Sequence, residues 1–325
     1  MATYLLTGCA GFIGAKVAEF LLDDHHTVIG IDNLNDAYDV RLKHWRLAQL
    51  QGRPGFTFHH LDILDCEKLD QLIAGAGKID AVINLAARAG VRCSVENPWM
   101  YFETNVTGTL NLLEMCRKYA ISKFVLASTS SLYGKDNPVP YREDQSTDRP
   151  LSPYAASKKA AEVLCYTYHH LYGTDISIPR YFTVYGPAGR PDMSPFRFVQ
   201  WISEGRPVTL YGDGQQSRDF TYVDDIARGT IAALRPLGYE VINLGSDHPI
   251  VLNTMIHMIE EIVDRRAIIE YRSIQASDMP TTWADVTKAG QYLGWEAAVD
   301  FAIGISRLVS WYRTNHDWAA NIATG

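Results

Sequence analysis

The stretch Tyr4-Leu5-Leu6-Thr7-Gly8-Cys9-Ala10-Gly11-Phe12-Ile13-Gly14 decides the fold. Its first residues form a short apolar strand, and Val17, Phe20, Leu21 and Leu22 then recur at helical spacing, so a glycine-rich turn joins strand to helix. Gly8 permits the tight turn, Gly11 lets backbone amides approach a pyrophosphate, and Gly14 lets the helix pack closely on the strand, with the anion at the helix N-terminus. The next strand, Thr27-Val28-Ile29-Gly30-Ile31, ends in Asp32, about where a ribose-binding acid is expected. An acid there accepts hydrogen bonds from both ribose hydroxyls and repels a 2'-phosphate, which favours NAD over NADP.

Working outward, strand and helix signals keep alternating. Asp39 to Leu50 reads as a helix with Arg41, Lys43, Arg46 and Gln49 on a wet face and Leu42, Trp45, Leu47 and Leu50 available for packing. A third strand from Phe56 closes at Leu61-Asp62-Ile63, which sets Asp62 at the carboxyl edge near an adenine. The fourth, Asp80 to Leu85, is followed by Ala86-Ala87-Arg88-Ala89-Gly90-Val91-Arg92, where small residues leave room for a cofactor and Arg88 and Arg92 are placed to meet phosphates. One long helix is expected from about Pro98 to Tyr119, with Asn105 inside it. The fifth strand, Lys123 to Ala127, delivers Ser128-Thr129-Ser130-Ser131 to the same edge. This alternation predicts an α/β fold, a Rossmann-type doubly wound parallel sheet with right-handed crossovers.

Downstream lies Ser152-Pro153-Tyr154-Ala155-Ala156-Ser157-Lys158. Ser152 and Pro153 read as an N-cap and first helical residue, and a spacing of four puts Tyr154 and Lys158 on one helix face. A cation beside a phenol favours the phenolate, so the Tyr154 pKa is expected to fall towards working pH and let it take a proton from a sugar hydroxyl.

The composition is that of a soluble globular chain: 325 residues, 47% hydrophobic, 21% charged. A net charge of -7 argues against a nucleic-acid surface. Cys9, Cys66, Cys93, Cys116 and Cys165 are odd in number and widely spread, which fits free thiols in a reducing cytoplasm. The first residues lack a basic n-region, and no apolar run approaches a membrane span of ~20 residues, so a cytoplasmic protein is expected. His25-His26 and His59-His60 have no accompanying acids or cysteines at ligand spacing, so no metal is expected.

Thr7-Gly8-x-x-Gly11-Phe12-Ile13-Gly14, Asn84-Leu85-Ala86-Ala87, Asn105-Val106-Thr107-Gly108-Thr109, Ser128-Thr129-Ser130-Ser131-Leu132-Tyr133-Gly134 and Tyr154-x-x-x-Lys158 together resemble the extended short-chain dehydrogenase/reductases that modify nucleotide sugars. The resemblance covers nearly the whole chain. It implies an NAD-binding domain over residues 1–180, with segments near 219–236 and 282–288 returning to it, and a smaller interleaved α/β domain over 181–325 that binds a UDP-sugar. It makes Thr129, Tyr154 and Lys158 catalytic. It adds Phe12, Ile13, Asn33, Ile63, Leu85, Asn105 and Tyr181 to the cofactor residues, and Ser130, Ser131, Thr209, Tyr211, Arg218 and Asp278 to Arg92 on the substrate side. Ser277-Asp278 departs from the family's usual Gly-Asp. A homodimer is expected by the same analogy.

Dehydratases and decarboxylases of this kind carry an acid directly after the catalytic Thr, where this chain has Ser130 and Ser131. An epimerase needs none: the phenol takes the O4 proton, NAD takes and returns the C4 hydride, and the 4-keto sugar turns over in between. Ala89-Gly90-Val91-Arg92, Arg180-Tyr181-Phe182-Thr183 with Arg190-Pro191-Asp192-Met193, and the Arg41-Leu42-Lys43 insertion are most similar to epimerases acting on C4 of UDP-glucuronate. Thr183 and Arg190 then meet the C6 carboxylate, and a held carboxylate is protected from loss as CO2 once C4 is a ketone. A UDP-xylose-forming decarboxylase and a 4-epimerase of UDP-glucose or UDP-N-acetylglucosamine are the neighbouring readings. From another class, an NAD-binding regulator is disfavoured by the intact Thr129, Tyr154 and Lys158.

Overall fold

The computed structural model describes residues 1–273 and 279–324. Strands and helices follow in the order β1 (Thr3–Thr7), α1 (Phe12–Asp23), β2 (Thr27–Asp32), α2 (Arg41–Ala48), β3 (Phe56–His60), α3 (Cys66–Gly75), β4 (Ala81–Asn84), α4 (Val91–Glu96), α5 (Trp99–Phe102), α6 (Gly108–Lys118), β5 (Lys123–Leu126), β6 (Ser128–Thr129), α7 (Pro153–Tyr172), β7 (Asp175–Tyr181), β8 (Thr183–Tyr185), α8 (Ser194–Ser203), β9 (Pro207–Tyr211), β10 (Ser217–Tyr222), α9 (Val223–Ala232), β11 (Tyr239–Leu244), β12 (Pro249–Val251), α10 (Leu252–Val263), β13 (Ile268–Arg272), α11 (Thr287–Leu293), α12 (Phe301–Thr314) and α13 (His316–Ala319).

The main sheet is parallel, in the order β11-β7-β5-β4-β1-β2-β3, with β6 also paired to β7. Successive residues of a strand point to opposite faces, and both faces here are covered, so the strands read as unbroken apolar runs. Leu5, Val82 and Phe124 enter the core under α3, α6 and α7. Their neighbours Leu6, Ile83 and Val125 join Val17, Leu21 and Ala227 from α1 and α9 on the other face. The order reverses beside β1, and the crevice outside the carboxyl ends there is where such sheets bind ligands.

A second core gathers Tyr185, Phe196, Val199, Phe220, Met255, Ile259, Ile305 and Leu308 around α8, α10 and α12. It carries two small sheets, β12-β10-β8 and β13-β9. The chain crosses between the two cores more than once. After β10 in the small sheet, α9 packs on α1, and β11 pairs with β7 at the edge of the main sheet.

Two local expectations change. The long helix from Pro98 is α5 and α6 joined by a π-helical turn at 103–107, and the widened turn turns Asn105 inward. The polar face of α2 is not wet: Lys43 is 5% and Arg46 3% exposed. Both cations are matched by oxygens from neighbouring loops, which lets them be buried where the amphipathic pattern alone puts them in water.

Candidate active site

The glycine turn is built as expected. Gly8 has φ 70°, and a Cβ on it would stand 2.8 Å from the Ala86 nitrogen; a Cβ on Gly14 would stand 2.1 Å from the Gly8 oxygen. Gly14 therefore lets α1 close onto the turn itself rather than onto the strand. The turn opens on a groove lined by Asp32, Asn33, Leu61, Asp62, Ile63, Ala86 and Thr104. This groove runs into a larger cleft lined by Phe12, Ile13, Gly14, Leu85, Ala87, Thr129, Ser130, Ser131, Tyr154, Lys158, Tyr181, Thr183 and Arg190.

Asp32 ends β2 at the groove. Its Oδ2 accepts the Ala10 amide at 3.1 Å and its Oδ1 the Leu34 amide at 2.8 Å. A carboxylate has about four acceptor sites, so capacity for two ribose hydroxyls remains. Asn33 donates to Asp62 Oδ2 at 2.6 Å, which ties the ends of β2 and β3 together. Lys43 Nζ stands 3.8 Å from Asp32 Oδ1 and 3.1 Å from Asn35 Oδ1 on the same wall. Backbone amides at a helix start and an acid beyond the second strand fit a dinucleotide in this groove.

At the far end, α7 starts as its sequence implies: Ser152 Oγ accepts the Ala155 amide at 3.2 Å, with Pro153 behind it. This places Tyr154 and Lys158 on the cleft wall beside Thr129, whose hydroxyl hydrogen-bonds the Tyr154 phenol. The expected lowering of the Tyr154 pKa by Lys158 is corrected. Burial pushes that phenol above its ordinary value, opposed by the Thr129 hydrogen bond and the Arg190 charge. Lys158 is instead engaged with the sheet, donating to the Ala127 carbonyl at 3.0 Å. Burial pulls its own pKa down to about 8, against the field of Glu162 one turn further along α7.

Behind Lys158 lies a buried ionic network. Glu162 accepts from Arg180 Nε at 2.9 Å and Nη2 at 2.8 Å, and from Ser128 Oγ at 2.6 Å. Arg180 Nη1 continues to the Tyr133 hydroxyl at 3.0 Å, which donates to Asn243 at 2.8 Å. Ser128 directly precedes Thr129, so this network fixes both the helix and the strand that carry the cluster.

Arg190 lines groove and cleft alike. Its Nε and Nη2 bind Asp192 at 3.0 and 2.5 Å, and Nη2 also reaches the Ala89 carbonyl at 3.2 Å. Burial raises the Asp192 carboxyl, but the Arg190 charge and hydrogen bonds together outweigh it and hold the pKa below its ordinary value.

Not every expected residue faces the cleft. Asn105 sits behind it, accepting the Arg88 amide and donating to the Arg88 carbonyl and Ser157 Oγ, each at 2.9 Å. It thus braces the loop after β4 against α7, and Arg88 is held through its backbone rather than lining the groove. Arg92 lies over the Tyr211 ring at 4.1 Å, which joins two expected substrate residues on α4 and β9. Thr209 lies two residues before Tyr211 on β9. Arg218 Nη1 donates to the Ser217 carbonyl at 2.8 Å. Asp278 lies outside the described residues.

Tyr38, Lys43, Arg46 and Tyr101 were missed. Lys43 and Arg46 share a face by their spacing of three, a signal that reads as solvated charge until the facing oxygens are known. Tyr101 packs edge-on against Tyr154 with centroids 6.1 Å apart, and nothing local announces it. Among the described residues no cluster of His, Cys, Asp and Glu has the makings of a metal site.

A doubly wound sheet with a glycine-turn groove and a Thr–Tyr–Lys cluster at its carboxyl edge defines an extended short-chain dehydrogenase/reductase. The chain belongs to the NAD dependent epimerase/dehydratase family, whose family model matches residues 4–245. It is 55% identical over 316 residues to a UDP-glucuronate 4-epimerase of Thermodesulfobacterium geofontis, covering 97% of each chain. Its fold is similar to that of the UDP-glucuronic acid 4-epimerase of Bacillus cereus solved with UDP-glucuronic acid and NAD, with a TM-score of 0.89, 37% identity and 96% and 99% of the two chains covered. The UDP-glucose 4-epimerase of Thermotoga maritima, solved with UDP-glucose, is similar at a TM-score of 0.88 and 30% identity, over 97% and 99% of the chains.

Proposed function

We propose that the protein interconverts UDP-glucuronate and UDP-galacturonate by NAD-dependent epimerisation at C4. The observation that carries this reading is the shared cleft: Thr129, Tyr154 and Lys158 line it together with Arg190, and it continues into the Asp32 groove. Gly8, Gly11, Asp32, Asn33 and Asp62 would hold NAD. Bound there, it supplies a hydride acceptor for C4 and a positive ring whose field favours the Tyr154 phenolate.

In this reading Tyr154 takes the O4 proton and later returns it, with the Thr129 hydroxyl orienting the phenol. Lys158 keeps a positive charge beneath them. Ser130 and Ser131 offer no carboxylate to remove a C5 proton, so water is not lost. Thr183 and Arg190 hold the C6 carboxylate, the guanidinium through Nη1, the nitrogen that Asp192 and Ala89 do not engage, in a charge-assisted hydrogen bond. Arg92, Thr209, Tyr211, Arg218 and Asp278 hold the UDP end while the 4-keto sugar turns. Residues 1–180, with returning segments near 219–236 and 282–288, serve the cofactor, and 181–325 the UDP-sugar.

We also read the exposed apolar residues Val95, Trp99 and Phe102, with Val163 and Tyr166 on α7, as the face through which two copies pair. No described helix is long and apolar enough to cross a membrane. All five cysteines are free, which accords with a reducing cytoplasm.

The test is chromatographic identification of the sugar nucleotide formed from UDP-glucuronate and NAD without NADH. UDP-galacturonate is expected. CO2 with a UDP-pentose would indicate a decarboxylase instead, and turnover of UDP-glucose alone a neutral-hexose epimerase.

A further inference from the structure

Arg46 is a buried arginine with no carboxylate partner among the described residues, and the chemistry above does not use it. All its described polar partners are uncharged oxygens. Nε and Nη2 donate to the Ala188 carbonyl at 3.0 and 2.6 Å, and Nη2 approaches the Gly189 carbonyl at 3.4 Å. Nη1 donates to the Ala10 carbonyl at 3.2 Å and the Tyr38 hydroxyl at 2.7 Å. One guanidinium therefore joins the glycine-rich turn, through Ala10, to the loop that ends in Arg190.

That loop needs holding. Ala188 has φ 51°, a left-handed conformation that a residue with a side chain adopts at some cost. A Cβ on Gly189 would touch the Phe12 ring at 3.6 Å, so the loop lies directly on the start of α1. The Tyr38 ring completes the joint, with Arg46 5.5 Å and Arg190 6.0 Å from its centroid. Five donors in a fixed plane make this set of contacts; a lysine, with three donors on one atom, does not.

We propose that Arg46 is a positioning residue: it clamps the 186–190 loop to the cofactor turn so that Arg190 stays on the substrate carboxylate, and so guards the 4-keto uronate against decarboxylation. This rests on the proposed uronate reading. In the guarded-against step the C5–C6 bond breaks, CO2 leaves, and the electron pair enters the C4 carbonyl as an enolate that takes a proton from water at C5. The product is a UDP-pentos-4-ulose, and the hydride taken from C4 stays on the reduced cofactor. The step proceeds when the C5–C6 bond aligns with the carbonyl π system, and an anchored carboxylate keeps it out of alignment.

The experiment measures, for the NAD-loaded enzyme with UDP-glucuronate, the ratio of CO2 released to UDP-galacturonate formed, in wild type, Arg46→Lys and Tyr38→Phe. A shift of an ångström at a positioned group costs up to about a hundredfold, so the ratio is expected to rise about tenfold or more in Arg46→Lys and less in Tyr38→Phe. A general loss of stability would lower both products together and leave the ratio unmoved. Should Arg46→Lys fail to fold, Tyr38→Phe, which removes one oxygen, decides alone. A wild-type ratio in whichever variant folds overturns the role given to Arg46. If wild type itself makes no product from UDP-glucuronate, the substrate reading fails first and takes the Arg46 role with it.

Discussion

Arg190 and Asp192 form a two-point ion pair, Nε to Oδ1 at 3.0 Å and Nη2 to Oδ2 at 2.5 Å, on the wall that also carries Tyr154. The pair fixes the guanidinium in place, and in the proposed function Nη1 then meets the substrate carboxylate without reorganisation. Arg190→Met should lower kcat/KM for UDP-glucuronate by about 10- to 150-fold, the worth of a charge-assisted hydrogen bond of roughly 1.5–3 kcal/mol. UDP-glucose, with no carboxylate, should lose far less. The double variant Arg190→Met with Asp192→Asn removes the stranded acid and separates loss of recognition from loss of fold. Equal losses on both substrates would remove Arg190 from carboxylate recognition.

Tyr154→Phe keeps the ring and its edge contact with Tyr101 but deletes the only proton acceptor proposed for O4. Turnover should fall by at least the 10²–10⁴-fold typical of a general base, while NAD stays bound through gel filtration. Thr129→Val should cost less, since it removes only the hydroxyl that orients the phenol. Substantial residual activity in Tyr154→Phe would falsify its role as base.

Some of this architecture is legible locally and some is not. The glycine turn, the acid ending β2 and the Ser152-Pro153 helix start are written in adjacent residues, because each serves a backbone geometry that its neighbours impose. Leu5 and Leu6 enter opposite cores by strand geometry, but a strand buried on both faces carries no alternation in its sequence from which to read this. The wet face assigned to α2 went wrong because what buries Lys43 and Arg46 is a set of oxygens from Ala10, Asp32, Asn35 and Ala188, as much as 142 residues away. The π turn at Asn105 fails for the same reason: its partners are Arg88 and Ser157, on two other elements. The Tyr154 pKa departs from expectation because helix spacing says that Lys158 is near but not how deeply the phenol is buried, and burial pushes it up.

Asp32 gives a test of cofactor choice. Its carboxylate faces the groove with Lys43 only 3.8 Å away, so removing the acid leaves a cation where a 2'-phosphate would lie. Asp32→Ser should weaken NAD by about 10- to 100-fold through lost charged hydrogen bonds and strengthen NADP relative to NAD. Calorimetric titration of the stripped protein with each nucleotide measures both. An unchanged preference would place the ribose away from β2.

In the proposed function Lys158 is expected to set the alkaline edge of activity. Its pKa is brought down to about 8 by burial, so the ammonium is lost as pH rises through that value, and kcat/KM should fall about tenfold per pH unit beyond it. Stability runs the other way. The folded pKa lies below the unfolded one of roughly 10.4, so the unfolded state binds more protons between the two, and the Lys158 contribution to stability rises with pH across that window. Glu162 separates the two effects, since its charge opposes the burial. In Glu162→Gln the alkaline limb should move to lower pH. Leaving Arg180 buried without its partner should also cost about 3–5 kcal/mol of stability. A limb that stays near pH 8 in a folded Glu162→Gln variant would mean that Glu162 braces α7 against β7 without tuning Lys158.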